Sequence, residues 1–93
     1  MIVGILSVVL SVPGSNSLKD KRQVVRSFLD GIRHRFNVSA AEIGALDSHT
    51  RAELAFACVS NEQALVSRTL SKILAQAESN PLCEVLDSAL EFV

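Results

Sequence analysis

Residues 2–12 read IVGILSVVLSV and are followed at once by PGSNS, residues 13–17. The first stretch is apolar at nearly every even position and at most odd positions, which is typical of a strand in the middle of a sheet. The proline and glycine end it. Ser17, with Asp20 three residues later, has the spacing of a capping box at a helix N-terminus. The stretch therefore predicts a central strand that leads directly into a helix.

Two segments carry apolar side chains at the spacing of an amphipathic helix. The first covers residues 18–36 and ends at Asn37. The second begins after Ser60, which has Gln63 three residues later and so predicts another capping box. Asn80-Pro81 ends it, because the residue before a proline resists the helical conformation. The predicted buried residues of this second helix are Val66, Leu70, Ile73, Leu74 and Ala77.

Three further segments alternate as strands do, namely residues 38–46, 51–59 and 83–92, with a hairpin loop at residues 47–50. The element order is β-α-β-β-α-β, the ferredoxin-like split β-α-β pattern of the α+β class, in one domain over residues 1–93. Right-handed crossovers place both helices on one face of a four-stranded antiparallel sheet with strand order 4-1-3-2. The other face stays open, and we expect a homo-oligomer to cover its aliphatic centre. The residues of this open-face patch are Val3, Ile5, Val9, Ala55, Ala57 and Val59.

Charge is polarised along the chain. The net charge of −1 excludes a protein that is basic all over its surface. Residues 19–35 nevertheless hold six of the nine basic residues against two acids, whereas residues 36–93 hold three basic residues against eight acids. On a helical wheel, four of the basic residues form one stripe beside the apolar face of the first helix. This basic stripe consists of Lys19, Arg22, Arg26 and Arg33.

The basic stripe fits two interpretations. In the first, long basic side chains merely flank a buried helix face, and Asp30 pairs with Arg26 four residues before it. In the second, the stripe binds RNA, a ribonucleoprotein or another acidic partner. RNA would have to bind through its phosphates, because the expected open sheet face carries no aromatic residue for base stacking and no GxxG loop is present.

The turn before the first helix is another candidate site. Free N–H groups and the helix dipole favour an anion at such a position. Gly14 is a lone glycine, however, and neither GxGxxG nor GxxxxGKS occurs. An ordinary capped turn is therefore favoured, with an enzyme that handles a phosphate or acyl phosphate as the alternative. The candidate anion-binding residues are Gly14, Ser15, Asn16, Ser17 and Lys21.

No pattern predicts a catalytic or metal centre. Cys58 and Cys83 lie 25 positions apart, without metal-ligand spacing, and His34 and His49 lie near neither. We therefore expect reduced thiols, no metal and no cofactor. We also expect no membrane partner, because the apolar N-terminal stretch is too short to cross a bilayer. The residues favour a non-enzymatic module in the cytoplasm over an enzyme. A homo-oligomeric ligand-binding or structural module that uses the open sheet face is a further alternative.

Residues 13–22, PGSNSLKDKR, and residues 32–42, IRHRFNVSAAE, resemble the YlxP-like family of small bacterial proteins. The runs RAEL at 51–54 and VSN at 59–61 agree with it. The resemblance implies a ferredoxin-like fold. It also implies a cytoplasmic accessory role near RNA, the ribosome or translation, because such proteins are often encoded beside factors of those processes. It implies no catalytic residue. Members often carry a tryptophan in the loop between the second and third strands, where this chain has DSHT at residues 47–50.

Overall fold

The computed structural model describes all residues from Met1 to Val93. Its four antiparallel strands and two helices follow the predicted order, and the sheet order β2-β3-β1-β4 is the predicted order counted from the other edge. The α+β ferredoxin-like prediction is thus confirmed. No helix is both long and apolar enough to cross a membrane. The elements are β1 (Ile2–Ser11), α1 (Leu18–Arg35), β2 (Ser39–Gly44), β3 (Arg51–Ser60), α2 (Gln63–Ser79) and β4 (Glu84–Phe92).

The core lies between the two helices and one face of the sheet. It contains 17 apolar residues, and alternate residues of β1 and β3 supply seven of them. The Phe56 side chain is fully buried, and its ring packs edge-on against Phe28 with 6.3 Å between ring centroids. Gly4 permits α2 to pack closely on β1, because a Cβ at this position would overlap Cγ1 of Val66 and lie 3.0 Å from Cδ1 of Leu70.

The two helices begin differently. The Ser17 hydroxyl accepts a hydrogen bond from the Asp20 N–H at 3.0 Å, so the predicted cap of α1 is confirmed. The predicted cap of α2 at Ser60 is wrong, because Ser60 remains in β3 through its pairing with Ile2. Its hydroxyl accepts from the N–H of Glu62, which is the N-cap residue and makes no side-chain cap hydrogen bond.

The hairpin between β2 and β3 is longer than the predicted loop at 47–50. β2 ends at Gly44, and Ala45 has a φ of 56°, which turns the chain out of the strand. The Ala45 carbonyl accepts from the Ser48 N–H at 3.0 Å. The Ser48 hydroxyl in turn accepts from the Arg51 N–H at 2.9 Å, where β3 begins. The loop therefore spans residues 45–50.

Candidate functional site

A groove of about 220 Å³ lies between α1 and the edge strand β2. Its apolar lining consists of two side chains from the buried face of α1, Val25 and Leu29. Three of the four residues of the predicted basic stripe also line it, from the exposed side of the same helix. Lys19, the fourth, is exposed one turn nearer the N-terminus of α1 and does not line the groove. We call this feature the arginine groove. It is lined by Arg22, Val25, Arg26, Leu29, Arg33 and Glu42.

The cations of the basic stripe are not equally free. Arg33 donates from Nη1 to Asp30 at 3.2 Å, and from Nη2 to the carbonyl of Ala40 in β2. The first interpretation of the stripe predicts that Asp30 pairs with Arg26. In the structure Asp30 pairs with Arg33 instead. Neither Arg26 nor its neighbours Lys19 and Arg22 form an ion pair within 4.0 Å. Three unpaired cations thus follow one face of α1.

Lys21 occupies a different environment from the rest of the basic segment. Its side chain is wholly buried. The ammonium donates to Oε2 of Glu42 at 2.9 Å, to the carbonyl of Ala45 at 3.0 Å and to that of Arg51 at 3.1 Å. These acceptors use all three of its protons. Lys21 is consequently turned away from the N-terminal turn, and its predicted place in an anion site there is not supported.

The helical periodicity carried the signal for this burial. Lys21 lies three residues after Leu18 and four before Val25, so it falls on the apolar stripe of the predicted helix. The residue type alone predicts an exposed side chain for Lys21, because lysine is almost never buried unless it is paired. The partner, Glu42, lies 21 positions away in β2, which no local pattern indicates.

The turn at residues 13–17 forms several hydrogen bonds within itself and with the first turn of α1. The Ser15 hydroxyl donates to the Ser17 carbonyl at 2.8 Å. The Asp20 carboxylate accepts from the N–H of Asn16 at 3.1 Å. A pocket of about 220 Å³ beside Gly14 has this same carboxylate as its one charged lining group. An incoming anion would meet a negative charge, so the geometry favours the capped turn over an anion site.

The open-face patch lies where the sequence pattern placed it. Val3 pairs with Val59 and Ile5 with Ala57, and the alternate residues on the same strands are buried under the helices. The patch has acidic neighbours, because Glu53 stands opposite Val9 on β3. On the other side, Asp87 and Glu91 of β4 pair with Val9 and Ile5.

The two cysteines are both free and buried. Burial raises the pKa of the Cys83 thiol above its ordinary value. No three of the histidine, cysteine, aspartate and glutamate side chains come close enough together to hold a metal ion.

Comparison with known proteins agrees with the resemblance noted in the sequence. Residues 3–90 match a family described as "Protein of unknown function (DUF503)". The chain is also 36% identical over 70 residues to the uncharacterized protein YlxP of Bacillus subtilis (strain 168), a match that covers 75% of this chain and 76% of that protein. The family match spans the whole of α1 and most of the sheet. The chain belongs to this YlxP-like family of proteins of unknown function, DUF503.

Proposed function

We propose that this protein is a non-enzymatic accessory module that binds RNA through the basic stripe and the arginine groove. The observation that carries the proposal is the row of unpaired cations Lys19, Arg22 and Arg26 on α1. Two of them, Arg22 and Arg26, line the arginine groove together with the apolar side chains of Val25 and Leu29. Arginine donors in a fixed row suit phosphate oxygens, which accept two parallel hydrogen bonds from one guanidinium.

The sheet has no surface for base stacking, which favours binding through the phosphate backbone of RNA. Of the four phenylalanines, Phe56 is buried, and Phe28 and Phe36 pack against the core. Phe92 pairs with Gly4 and therefore lies on the helix side of the sheet. The open face offers no aromatic ring on which a base could stack, in contrast to sheet-based RNA-binding modules. Since the remainder of the chain is acidic, binding should be weak and confined to α1.

A charge-reversal pair on α1 tests the proposal. Arg22→Glu with Arg26→Glu should abolish most of the affinity for ribosomal RNA, measured by fluorescence anisotropy in low salt. The matched control is Arg68→Glu with Lys72→Glu, which has the same i, i+4 spacing and the same change in net charge on exposed positions of α2. Circular dichroism checks that both variants remain folded.

Each outcome of this comparison is informative. Retained binding by the α2 variant and lost binding by the α1 variant supports the basic stripe as the RNA surface. Equal loss in both shows that only net charge matters, and no binding by the wild type at low salt shows that RNA is not the partner. Competition by poly-glutamate as strong as that by RNA would identify an acidic protein as the partner instead.

We also propose that the open-face patch is an interface between two copies of the chain. The observation in favour is the aliphatic centre of the patch, with Val59 61% exposed. Strands of this length in a four-stranded sheet give a face of roughly 600 Å², so two copies bury about 1,200 Å². That area is at the lower limit for a specific interface and indicates a weak dimer.

Light scattering tests the dimer. Ile5→Lys should shift the protein towards the monomer, whereas Ser71→Lys on the exposed side of α2 should not. A wild-type protein that is strictly monomeric at high micromolar concentration would show that the patch has another role.

A further inference from the structure

We infer that the edge of β4 docks an extended, basic segment of a partner protein, in which apolar residues alternate with lysine or arginine. The inference does not depend on RNA binding, because β4 lies at the opposite edge of the sheet from the arginine groove. It rests on three properties of β4: its uncovered apolar side, its unpaired edge and its charge.

The apolar side of β4 is poorly covered. Leu90 pairs with Leu6 and Phe92 with Gly4, so both side chains lie on the face where the helices pack. Their partners on β1 are buried, yet Leu90 is 43% exposed and Phe92 is 41% exposed. Half of the ten exposed large hydrophobic residues of the molecule fall within the C-terminal dozen residues. They are Leu82, Leu86, Leu90, Phe92 and Val93.

The hydrogen-bonding edge of β4 is also free. β1 is its one neighbour in the sheet. The one side chain bonded to its backbone is that of Asp87, which accepts from the adjacent Ser88 N–H at 2.9 Å. At the other edge of the sheet, by contrast, Arg33 bonds to the β2 carbonyl of Ala40. An edge strand of this kind presents unpaired N–H and C=O groups to which another strand can add.

Charge identifies the kind of strand that fits. Residues 73–93 contain four acids and no lysine or arginine, and two of the acids, Asp87 and Glu91, point to the open face of β4. A second copy of β4 would bring its own acids beside these, and like charges across a strand pair are destabilising. A basic strand would be attracted. Since side chains alternate across a strand, its apolar residues would cover Leu90 and Phe92 while its basic residues lie beside the acids.

A synthetic peptide tests the inference on the full chain. The probe is a fluorescent ten-residue peptide of alternating lysine and valine, used at a concentration where it is monomeric. Its control is the same peptide with N-methyl groups on alternate amides, which keeps the charge and removes the edge hydrogen bonds. The first peptide should bind and slow hydrogen exchange of the β4 amides, and the methylated peptide should bind at least tenfold more weakly.

Variants of the protein locate the site. Asp87→Lys with Glu91→Lys should weaken peptide binding at least tenfold, and Leu90→Ser should weaken it at unchanged charge. Glu62→Lys with Glu78→Lys, an equal change in net charge at the exposed N-cap and the exposed last turn of α2, should leave it within twofold. The inference is wrong if the peptide fails to bind or if both charge variants lose affinity equally. It is also wrong if Leu90→Ser, on the face away from the open-face patch, changes self-association instead of peptide binding, since β4 would then pair with a second copy.

Discussion

The ammonium of Lys21 lies 2.9 Å from the carboxylate of Glu42, and the lysine side chain is completely excluded from solvent. The same ammonium bonds to the carbonyl of Ala45, the first residue of the hairpin loop, and to that of Arg51, the first residue after it. One side chain near the start of α1 thereby fixes both ends of the β2–β3 loop. Because Glu42 also lines the arginine groove, this interaction sets the position of the groove wall formed by β2.

The first prediction concerns this ion pair. Lys21→Met keeps the length of the side chain and leaves a carboxylate and two carbonyls without their donor. We expect the free energy of unfolding to fall by about 3 kcal/mol, because removal of one partner strands a largely buried charge. Glu42→Gln, which retains an acceptor, should cost less. The double variant Lys21→Met with Glu42→Leu should recover part of the loss. Urea denaturation measures all three, and a loss below about 1 kcal/mol for Lys21→Met would contradict the assignment.

The second prediction compares two glycines. Gly4→Ala adds a methyl group that overlaps Val66 on α2, so we expect it to destabilise the protein by about 1–3 kcal/mol. Gly31 lies exposed in the interior of α1 with no atom within 4 Å of a new Cβ. Gly31→Ala should therefore stabilise the protein by about 0.5–1 kcal/mol. The two melting temperatures should move in opposite directions. A rise for Gly4→Ala would refute the close packing of α2 on β1, and a fall for Gly31→Ala would refute the open space beside Gly31.

The sequence predicted best what local patterns determine. Alternation along β1 and β3 identified the buried and open faces, and the Ser17-to-Asp20 spacing identified the start of α1. Ser60 had equally good local spacing, yet pairing with Ile2 across the sheet held it in β3. A long-range contact therefore overrode a local preference.

In the candidate site, too, local spacing was predictable from the sequence and long-range contacts were not. The helical spacing of the basic stripe was sufficient to place Arg22 and Arg26 on one flank of α1. It could not show which cations are already paired, because the groups bonded to Lys21 and Arg33 include atoms of β2. The exposure of β4 was not predictable either, since its alternation is that of an ordinary half-buried strand.

The third prediction uses the two serines. Ser17→Ala removes the hydroxyl that accepts from Asp20, and we expect a loss of about 1 kcal/mol in unfolding free energy. Ser60→Ala removes two exposed contacts of the hydroxyl, one with the Glu62 N–H and one with Oδ1 of Asn61, and should cost less than about 0.5 kcal/mol. Thermal denaturation followed by circular dichroism compares them. Equal losses would mean that Ser60 caps α2 after all.

The fourth prediction concerns alkaline stability. Burial raises the pKa of the Cys83 thiol in the folded state, so the folded protein holds this proton at a pH where the unfolded chain releases it. The resulting stabilisation is complete below the unfolded pKa and is lost as the pH rises through the folded value. The free energy of unfolding should therefore decline above about pH 9, within the range where an ordinary thiol ionises. Cys83→Ala should lessen this decline, whatever its effect at neutral pH. An unchanged slope in urea titrations at alkaline pH would argue against it.

The last prediction separates paired from unpaired cations in the basic stripe. Each phosphate contact with a single strand adds about 0.7 to the slope of log affinity against log salt, so four contacts would give a slope near −3. Because Arg33 is already bonded to Asp30 and to the Ala40 carbonyl, we expect three effective contacts and a slope near −2. Arg26→Gln should reduce the slope by about 0.7, whereas Arg33→Gln should change it little. Asp30→Asn removes the competing carboxylate, and it should steepen the slope and tighten RNA binding. Salt titrations of the three variants against one RNA measure these slopes. If Arg26→Gln and Arg33→Gln change the slope equally, the contact between Arg33 and Asp30 does not keep Arg33 from binding RNA.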